Sequence, residues 1–209
     1  MSKSVIIGWI IIAAAIGIFL LLYLEGGRYN LKNPTIVKDV EGNEYKSIRI
    51  GGQVWMTENL RTTRASDGSF VKSFLPNNSS SNVYKYGRLY TWRVAKIICP
   101  TDWHLPSDND WKILSNYLGS FAGAKMKDTL NWKSLSKNTN NESFFTALPA
   151  GYIDNSRNEN FFGTKAFFWS STARDTSFAW CRILVNNSDS LKRSLDHSSF
   201  AYSVRCVKN

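Results

Sequence analysis

The side chains able to do chemistry are few. The chain holds three cysteines (Cys99, Cys181, Cys206) and two histidines (His104, His197) among 209 residues. A serine nucleophile, for which Trp169-Ser-Ser-Thr172 offers the hydroxyls, needs a histidine base and a carboxylate arranged around it. The two histidines stand in unrelated contexts, so the string reads instead as small hydroxyls closing a turn beside a buried indole. A metal site of two histidines and one carboxylate needs those same two side chains brought together, and nothing in the spacing does so. His104, between Trp103 and Leu105, reads as a hydrogen-bonded core histidine. Asp108-Asn109-Asp110 has oxygen ligands of the kind calcium takes, yet it sits at a helix start, where such groups cap backbone N–H donors. The sequence therefore predicts no metal, no cofactor and no catalytic residue.

The cysteines carry the more specific signal. Cys99 precedes Pro-Thr-Asp-Trp-His-Leu-Pro-Ser, a turn running into a helix, and Cys206 lies in Ser203-Val-Arg-Cys-Val207, a terminal strand. A Cys99–Cys206 disulfide ties the middle of a domain to its last residues. In the chain-entropy model, closing a loop of about 100 residues stabilises by up to 4–5 kcal/mol. Cys181–Cys206 is the other pairing that the sequence leaves open. In the first case Cys181 is left over within Phe178-Ala-Trp-Cys-Arg182. There strand alternation puts it on the face of Ala179 and Ile183, opposite Trp180 and Arg182, as a buried, inert thiol.

Disulfides persist in oxidising compartments, and the N-terminus supplies a route to one. Val5 to Leu24 contains no charge and no proline; as a helix, a run of about 20 residues spans roughly 30 Å, the thickness of a bilayer core. Lys3 precedes it, which favours a cytoplasmic N-terminus. The apolar run exceeds a signal-peptide core and no clear small-residue cleavage site follows, so an uncleaved anchor is expected over a cleaved leader. The expected plan is an anchor over 1–27, a linker over 28–36 and one domain over 37–209, lying in the periplasm or at the cell surface.

That domain is basic: 26 Lys and Arg against 16 Asp and Glu give a net charge of +10 for the chain. The excess is spread out with no basic stripe, which argues against nucleic acid and reads as a cationic surface suited to anionic partners. Short apolar runs rich in Trp, Tyr and Phe, with no long periodic helix, predict an α+β or mostly β fold. Thr35 to Ile50 reads as a hairpin turning at Glu41-Gly42-Asn43, and Gln53 to Leu60 as a strand. Residues 64–83 read as an exposed loop, and Gly87 to Ala95 as strand or helix. Ser107 with Asp110 forms a capping-box start for a helix that presents Trp111, Leu114, Tyr117 and Leu118, and Gly119 closes it. A weaker helix over Ala122 to Leu130 follows. Strands are expected at Phe144–Leu148, Gly151–Ile153, Ala166–Ser170, Ser177–Val185 and Tyr202–Val207, with polar turns between the last three.

Six strings in order, Trp55-Met-Thr-Glu-Asn-Leu-Arg61, Gly87-Arg-Leu-Tyr-Thr-Trp92, Cys99-Pro-x-x-Trp-His-Leu-Pro-Ser107, Ala147-Leu-Pro-Ala-Gly151, Phe168-Trp-Ser-Ser-Thr172 and Ser203-Val-Arg-Cys-Val-Lys208, resemble the Fibrobacter succinogenes major paralogous (FISUMP) domain. The resemblance spans roughly Val37 to Lys208. It implies a secreted or surface-attached bacterial protein with a C-type-lectin-like fold of short helices and antiparallel strands, distantly related to formylglycine-generating enzymes. It lends no general activity. The copper-dependent relatives act at a C-terminal cysteine pair, which a structural Cys206 bridge removes. The calcium motifs of lectin relatives are absent.

By analogy with that fold, recognition maps to the late loops and strands over 174–202. The candidate contact residues there are Phe178, Trp180, Arg182, Arg193, His197 and Tyr202, aromatic and cationic groups of the kind interfaces and sugar platforms enrich. The expected function is a membrane-anchored module that binds a glycan or an envelope protein. A structural envelope subunit is the first alternative, and a degenerate enzyme of the formylglycine-generating type is the second.

Overall fold

A computed structural model describes residues 34–209, in which Thr35–Asn209 form one compact unit. The expected anchor and residues 28–33 of the expected linker lie outside the described residues, and the end of that linker, Thr35 and Ile36, already belongs to the first strand. Among the described residues there are twelve strands: β1 (Thr35–Lys38), β2 (Glu44–Ile50), β3 (Gln53–Met56), β4 (Tyr90–Thr91), β5 (Trp103–His104), β6 (Tyr152–Ile153), β7 (Glu159–Asn160), β8 (Lys165–Ala173), β9 (Phe178–Val185), β10 (Lys192–His197), β11 (Ala201–Tyr202) and β12 (Val207–Lys208). They form three antiparallel sheets in the orders β1-β2-β3-β12-β5, β10-β9-β8 and β4-β11-β6-β7. With one longer helix, Asp108–Leu118, and several helical turns, the α+β expectation holds.

The last strand sits inside the first sheet, where Val207 pairs with both Trp55 and His104. Cys206, next to it, is bonded to Cys99, 107 positions away in sequence, with their Cα atoms 5.9 Å apart. Of the two pairings, the structure takes Cys99–Cys206 and leaves Cys181 free and buried.

Several strands are apolar on both faces because both are covered. In β8, Phe167 and Trp169 enter one core cluster, with Tyr45, Met56, Tyr90 and Tyr202. Ala166 and Phe168 enter the other, with Trp55, Trp111, Leu114 and Phe145. A strand buried on both sides reads as a continuous apolar run rather than an alternating one. The indoles stitch these layers by donating to backbone carbonyls: Trp92 to Ser170 at 2.8 Å, Trp169 to Tyr90 at 2.8 Å and Trp132 to Ala147 at 3.0 Å.

The helix begins as expected. Ser107 Oγ accepts from the Asp110 N–H at 3.1 Å, and the Asp110 carboxylate accepts from the Ser107 N–H at 2.8 Å. Trp111, Leu114 and Leu118 are buried, but Tyr117 is 60% exposed and leans instead over Gly51, where a Cβ would lie 2.7 Å from its ring. Gly119 takes φ +64° with ψ −143°, outside the left-handed helical region but open to glycine. The second helix stops at Met126 rather than Leu130. At the next residue the buried Lys127 turns inward, and its ammonium donates to the carbonyls of Val185, Asn186 and Ser188 at 3.1, 2.9 and 2.8 Å. Burial lowers the Lys127 pKa.

Three strand expectations are corrected. Phe144–Leu148 is not a strand: Phe144 and Thr146 both have φ of +55°, and the carbonyls of Phe145 and Thr146 accept from the buried Arg205 guanidinium. Residues after Val185 are more than a turn, since β10 pairs with the whole first part of β9. The terminal strand is two short ones, β11 and β12. Between them Ser203 exchanges backbone bonds with Phe167 and Trp169, and the Val204 and Cys206 carbonyls accept from Leu60 and Met56.

Candidate functional site

Five of the six residues expected to make contacts share one face of one hairpin. In β9 the side chains of Phe178, Trp180 and Arg182 alternate onto the same side. Across the ladder Phe178 is opposite His197, and Arg182 opposite Arg193. This follows from β10, a strand with no apolar alternation of its own, which the sequence did not disclose.

The face divides into two parts. At the end near the helix, Asp108 gathers both arginines: Arg182 Nη1 donates to Oδ1 at 2.7 Å, and Arg193 Nε lies 3.0 Å from each carboxylate oxygen. Arg182 is 4% exposed and is a tie between sheet and helix rather than a surface group. The Arg193 guanidinium carbon stands 3.1 Å from the centre of the Trp180 ring, covering it. Burial works against the charged form of Asp108, but hydrogen bonds from Arg193 and Arg182 outweigh it and lower its pKa. This part is closed on itself.

At the other end the face opens. Phe178 meets His197 with ring centroids 5.4 Å apart, His197 meets Phe200 at 6.2 Å, Phe200 meets Tyr152 at 5.5 Å, and Tyr152 meets Phe161 at 6.1 Å. Phe161 is 47% exposed, and the other four rings are half-buried. A cation flanks each end of this row: Arg174 lies over Phe178 at 4.8 Å and Lys165 over Phe161 at 3.6 Å. His197 Nδ1 is 2.7 Å from Ser199 Oγ and 3.3 Å from the Ser199 amide nitrogen. With the amide donating to Nδ1, the hydrogen-bond pattern assigns the neutral ring's proton to Nε2.

Tyr202 belongs beneath the row, not in it. It is 1% exposed and stacks on Trp169 at 4.2 Å. Cys181 donates from Sγ to Asp196 Oδ2 at 2.9 Å on the same inner side. Burial above all, with the Asp196 charge beside them, pushes the pKa of both the Tyr202 phenol and the Cys181 thiol well up. Cys181 is thus held as a thiol, with little thiolate to act as a nucleophile.

Tyr152, Phe161 and Phe200 were not singled out from the sequence. Phe200 falls within the 174–202 segment, but Tyr152 and Phe161 come from β6 and the turn after β7. Their only sequence signal is an aromatic placed among polar turn residues. His104 is also not a core residue: its side chain is 42% exposed and bridges Asn209 Oδ1 at 2.6 Å and Asp110 Oδ2 at 3.2 Å. Among the described residues no group of three or more His, Cys, Asp or Glu side chains converges as metal ligands do.

A family model for the Fibrobacter succinogenes major domain matches residues 48–208. The chain belongs to that family. The match starts within β2 and ends in β12, so it contains the helix, the hairpin and the row of rings. No curated protein and no solved structure matches the chain.

Proposed function

We propose that this chain is a recognition module held on the outer side of a bacterial membrane, binding a glycan along the half-exposed row from Phe178 to Phe161. Val5 to Leu24 is the anchor, with the N-terminus in the cytoplasm and the domain in the periplasm or at the cell surface. The observation that carries the reading is the row itself: five rings from four separate segments, linked by centroid distances between 5.4 and 6.2 Å. Partly exposed neighbouring rings offer apolar faces to sugar C–H groups. The Cys99–Cys206 bond supports an oxidising compartment, and the antiparallel α+β plan with the last strand inside the first sheet supports a C-type-lectin-like fold. The proposal assigns no catalytic step: Cys206 is already bonded, and Cys181 is a buried thiol.

The test is a glycan array probed with the full-length chain in mild detergent, beside a variant carrying Phe161→Ala and Phe178→Ala. Binding that the variant loses supports the reading; binding that it keeps places recognition elsewhere. An assembly subunit of the envelope is the second reading. It draws on β1, an edge strand of the first sheet that exposes Ile36 at 53%, since unpaired edges recruit further strands.

A further inference from the structure

Beside the row lies an open cleft of about 380 Å³. Its walls come from three places: Thr91 at the end of β4 with Arg93 just after it, Thr176 and Ser177 in the turn between β8 and β9, and His197 to Ser199 at the end of β10. The walls are tied together by backbone bonds. The Trp92 N–H donates to the Ser198 carbonyl at 3.1 Å, and the Ser198 N–H to the Ser177 carbonyl at 2.7 Å. A cleft held this way is formed before any ligand arrives, which lowers the ordering cost of binding.

The chemistry of the lining is narrow. Arg93 is exposed and makes no ion pair among the described residues, and no carboxylate lines the cleft. Two acidic residues adjoin the lining in sequence, Asp196 beside His197 and Asp175 beside Thr176; Asp196 accepts from Cys181 Sγ at 2.9 Å on the inner side of the hairpin, and Asp175 is also occupied. It accepts from Arg174 Nε at 2.9 Å and from the N–H groups of Ser177 and Phe178 at 2.8 and 2.9 Å. Ser199 is engaged with His197. The hydroxyls of Thr91, Thr176, Ser177 and Ser198 have no protein hydrogen-bond partner among the described residues. One guanidinium without an ion pair and four unpartnered hydroxyls thus line one cleft, with the Phe178 and Phe200 rings packed on its His197 wall.

We infer that this cleft holds a carboxylated sugar unit of an acidic glycan, with Arg93 pairing the carboxylate and the following sugars lying on the row. The inference rests on the recognition reading above and names its ligand class. A single cation matches a monoanion, and guanidinium binds a carboxylate through two parallel hydrogen bonds. A phosphate carries nearly two charges at neutral pH and calls for more than one cation. The free hydroxyls, each both donor and acceptor, match sugar hydroxyls. The row then supplies the apolar contacts that one carboxylate lacks.

The experiment titrates the full-length chain in detergent with trimers of galacturonate, glucuronate and mannuronate, each beside its carboxyl-reduced neutral counterpart, by calorimetry. At least one acidic trimer is expected to bind tenfold or more tightly than its reduced form. Arg93→Gln should erase that difference without moving the melting temperature, and Arg93→Lys should restore part of it. Equal binding of acidic and reduced trimers, or an unchanged preference in Arg93→Gln, overturns the cleft assignment while leaving the row reading in place. Inorganic phosphate competing as well as the best uronate overturns the carboxylate assignment. If no saccharide in the panel binds, acidic or neutral, the cleft assignment falls, while the glycan reading of the row stands or falls on the array.

Discussion

Arg205 donates from Nε to Asn59 Oδ1 at 2.8 Å, joining residues 146 positions apart. Its other two nitrogens donate to the Phe145 and Thr146 carbonyls, and its guanidinium lies 4.3 Å from the Phe145 ring centre. Asn59 in turn donates to the Tyr86 carbonyl at 2.8 Å, beside Gly87, where a Cβ would stand 2.5 Å from that of Asn59. Three of the six ordered strings, those of Asn59, Gly87 and Arg205, therefore meet at or beside one buried cation, and the Phe168 ring of a fourth lies 5.6 Å from it. What these strings hold in common is assembly of the core, which is why they identify the family without naming an activity. Burial lowers the Arg205 pKa, to about 9, and the guanidinium remains charged at neutral pH.

Arg205→Met should be among the most damaging single changes. Removing a buried cation that satisfies two carbonyls and a side-chain amide leaves those acceptors unpaired, a loss of roughly 3–5 kcal/mol. Urea unfolding followed by tryptophan fluorescence measures it. A midpoint within the error of the wild type contradicts the assignment of Arg205 as the central tie.

Reduction of Cys99–Cys206 should destabilise by up to about 4–5 kcal/mol, the entropy of freeing a loop of about 100 residues. Non-reducing peptide mass spectrometry should find this pair linked. Cys181 should react with a maleimide only after unfolding, since it is 0% exposed and its thiolate is disfavoured. Labelling of Cys181 in the folded chain at neutral pH would show the hairpin opening.

Asp108 gives a pH dependence of definite sign. Its pKa is lowered in the folded chain, so its contribution is complete above the unfolded carboxylate value of about 3.9. It is lost as the pH falls below that value through the folded pKa. Asp108→Asn should cost about 2 kcal/mol at pH 7, the scale of hydrogen bonds to charged groups. The gap between variant and wild type should narrow towards pH 3 in denaturant titrations. A gap that is constant from pH 7 to pH 3 would mean that the two arginines do not hold the carboxylate.

Tyr202→Phe separates the layer beneath the row from the row. It removes only a buried hydroxyl near Asp196, so thermal stability should fall by roughly 1–2 kcal/mol while ligand binding stays the same. The opposite pattern, stability kept and binding lost, would move Tyr202 back among the contact residues.

The elements legible in the sequence were those set by neighbours in the chain. The helix start needs only Ser107 and Asp110, three residues apart, and β8 is announced by its own apolar run. β10 is polar but for Leu195, Lys-Arg-Ser-Leu-Asp-His, and is a strand because β9 offers a ladder, which no local pattern records. Phe144–Leu148 has strand-like composition, yet Arg205, far along the chain, takes its carbonyls and bends it. The candidate site was half legible for the same reason. Phe178, Trp180 and Arg182 alternate within one strand and could be grouped in advance. Tyr152, Phe161 and Phe200 become neighbours of that strand only when the second and third sheets close. Tyr202 looked like an exposed aromatic because nothing local shows that Trp169 covers it.

The most direct check on the account is saccharide binding by the full-length chain compared across two variants that remove surface rings. Phe161→Ala with Phe178→Ala removes both ends of the row, whereas Tyr117→Ala removes a ring that is 60% exposed on the helix. The account predicts at least tenfold weaker binding for the first variant, wild-type binding for the second, and unchanged melting temperatures for both. Equal binding by all three proteins contradicts it.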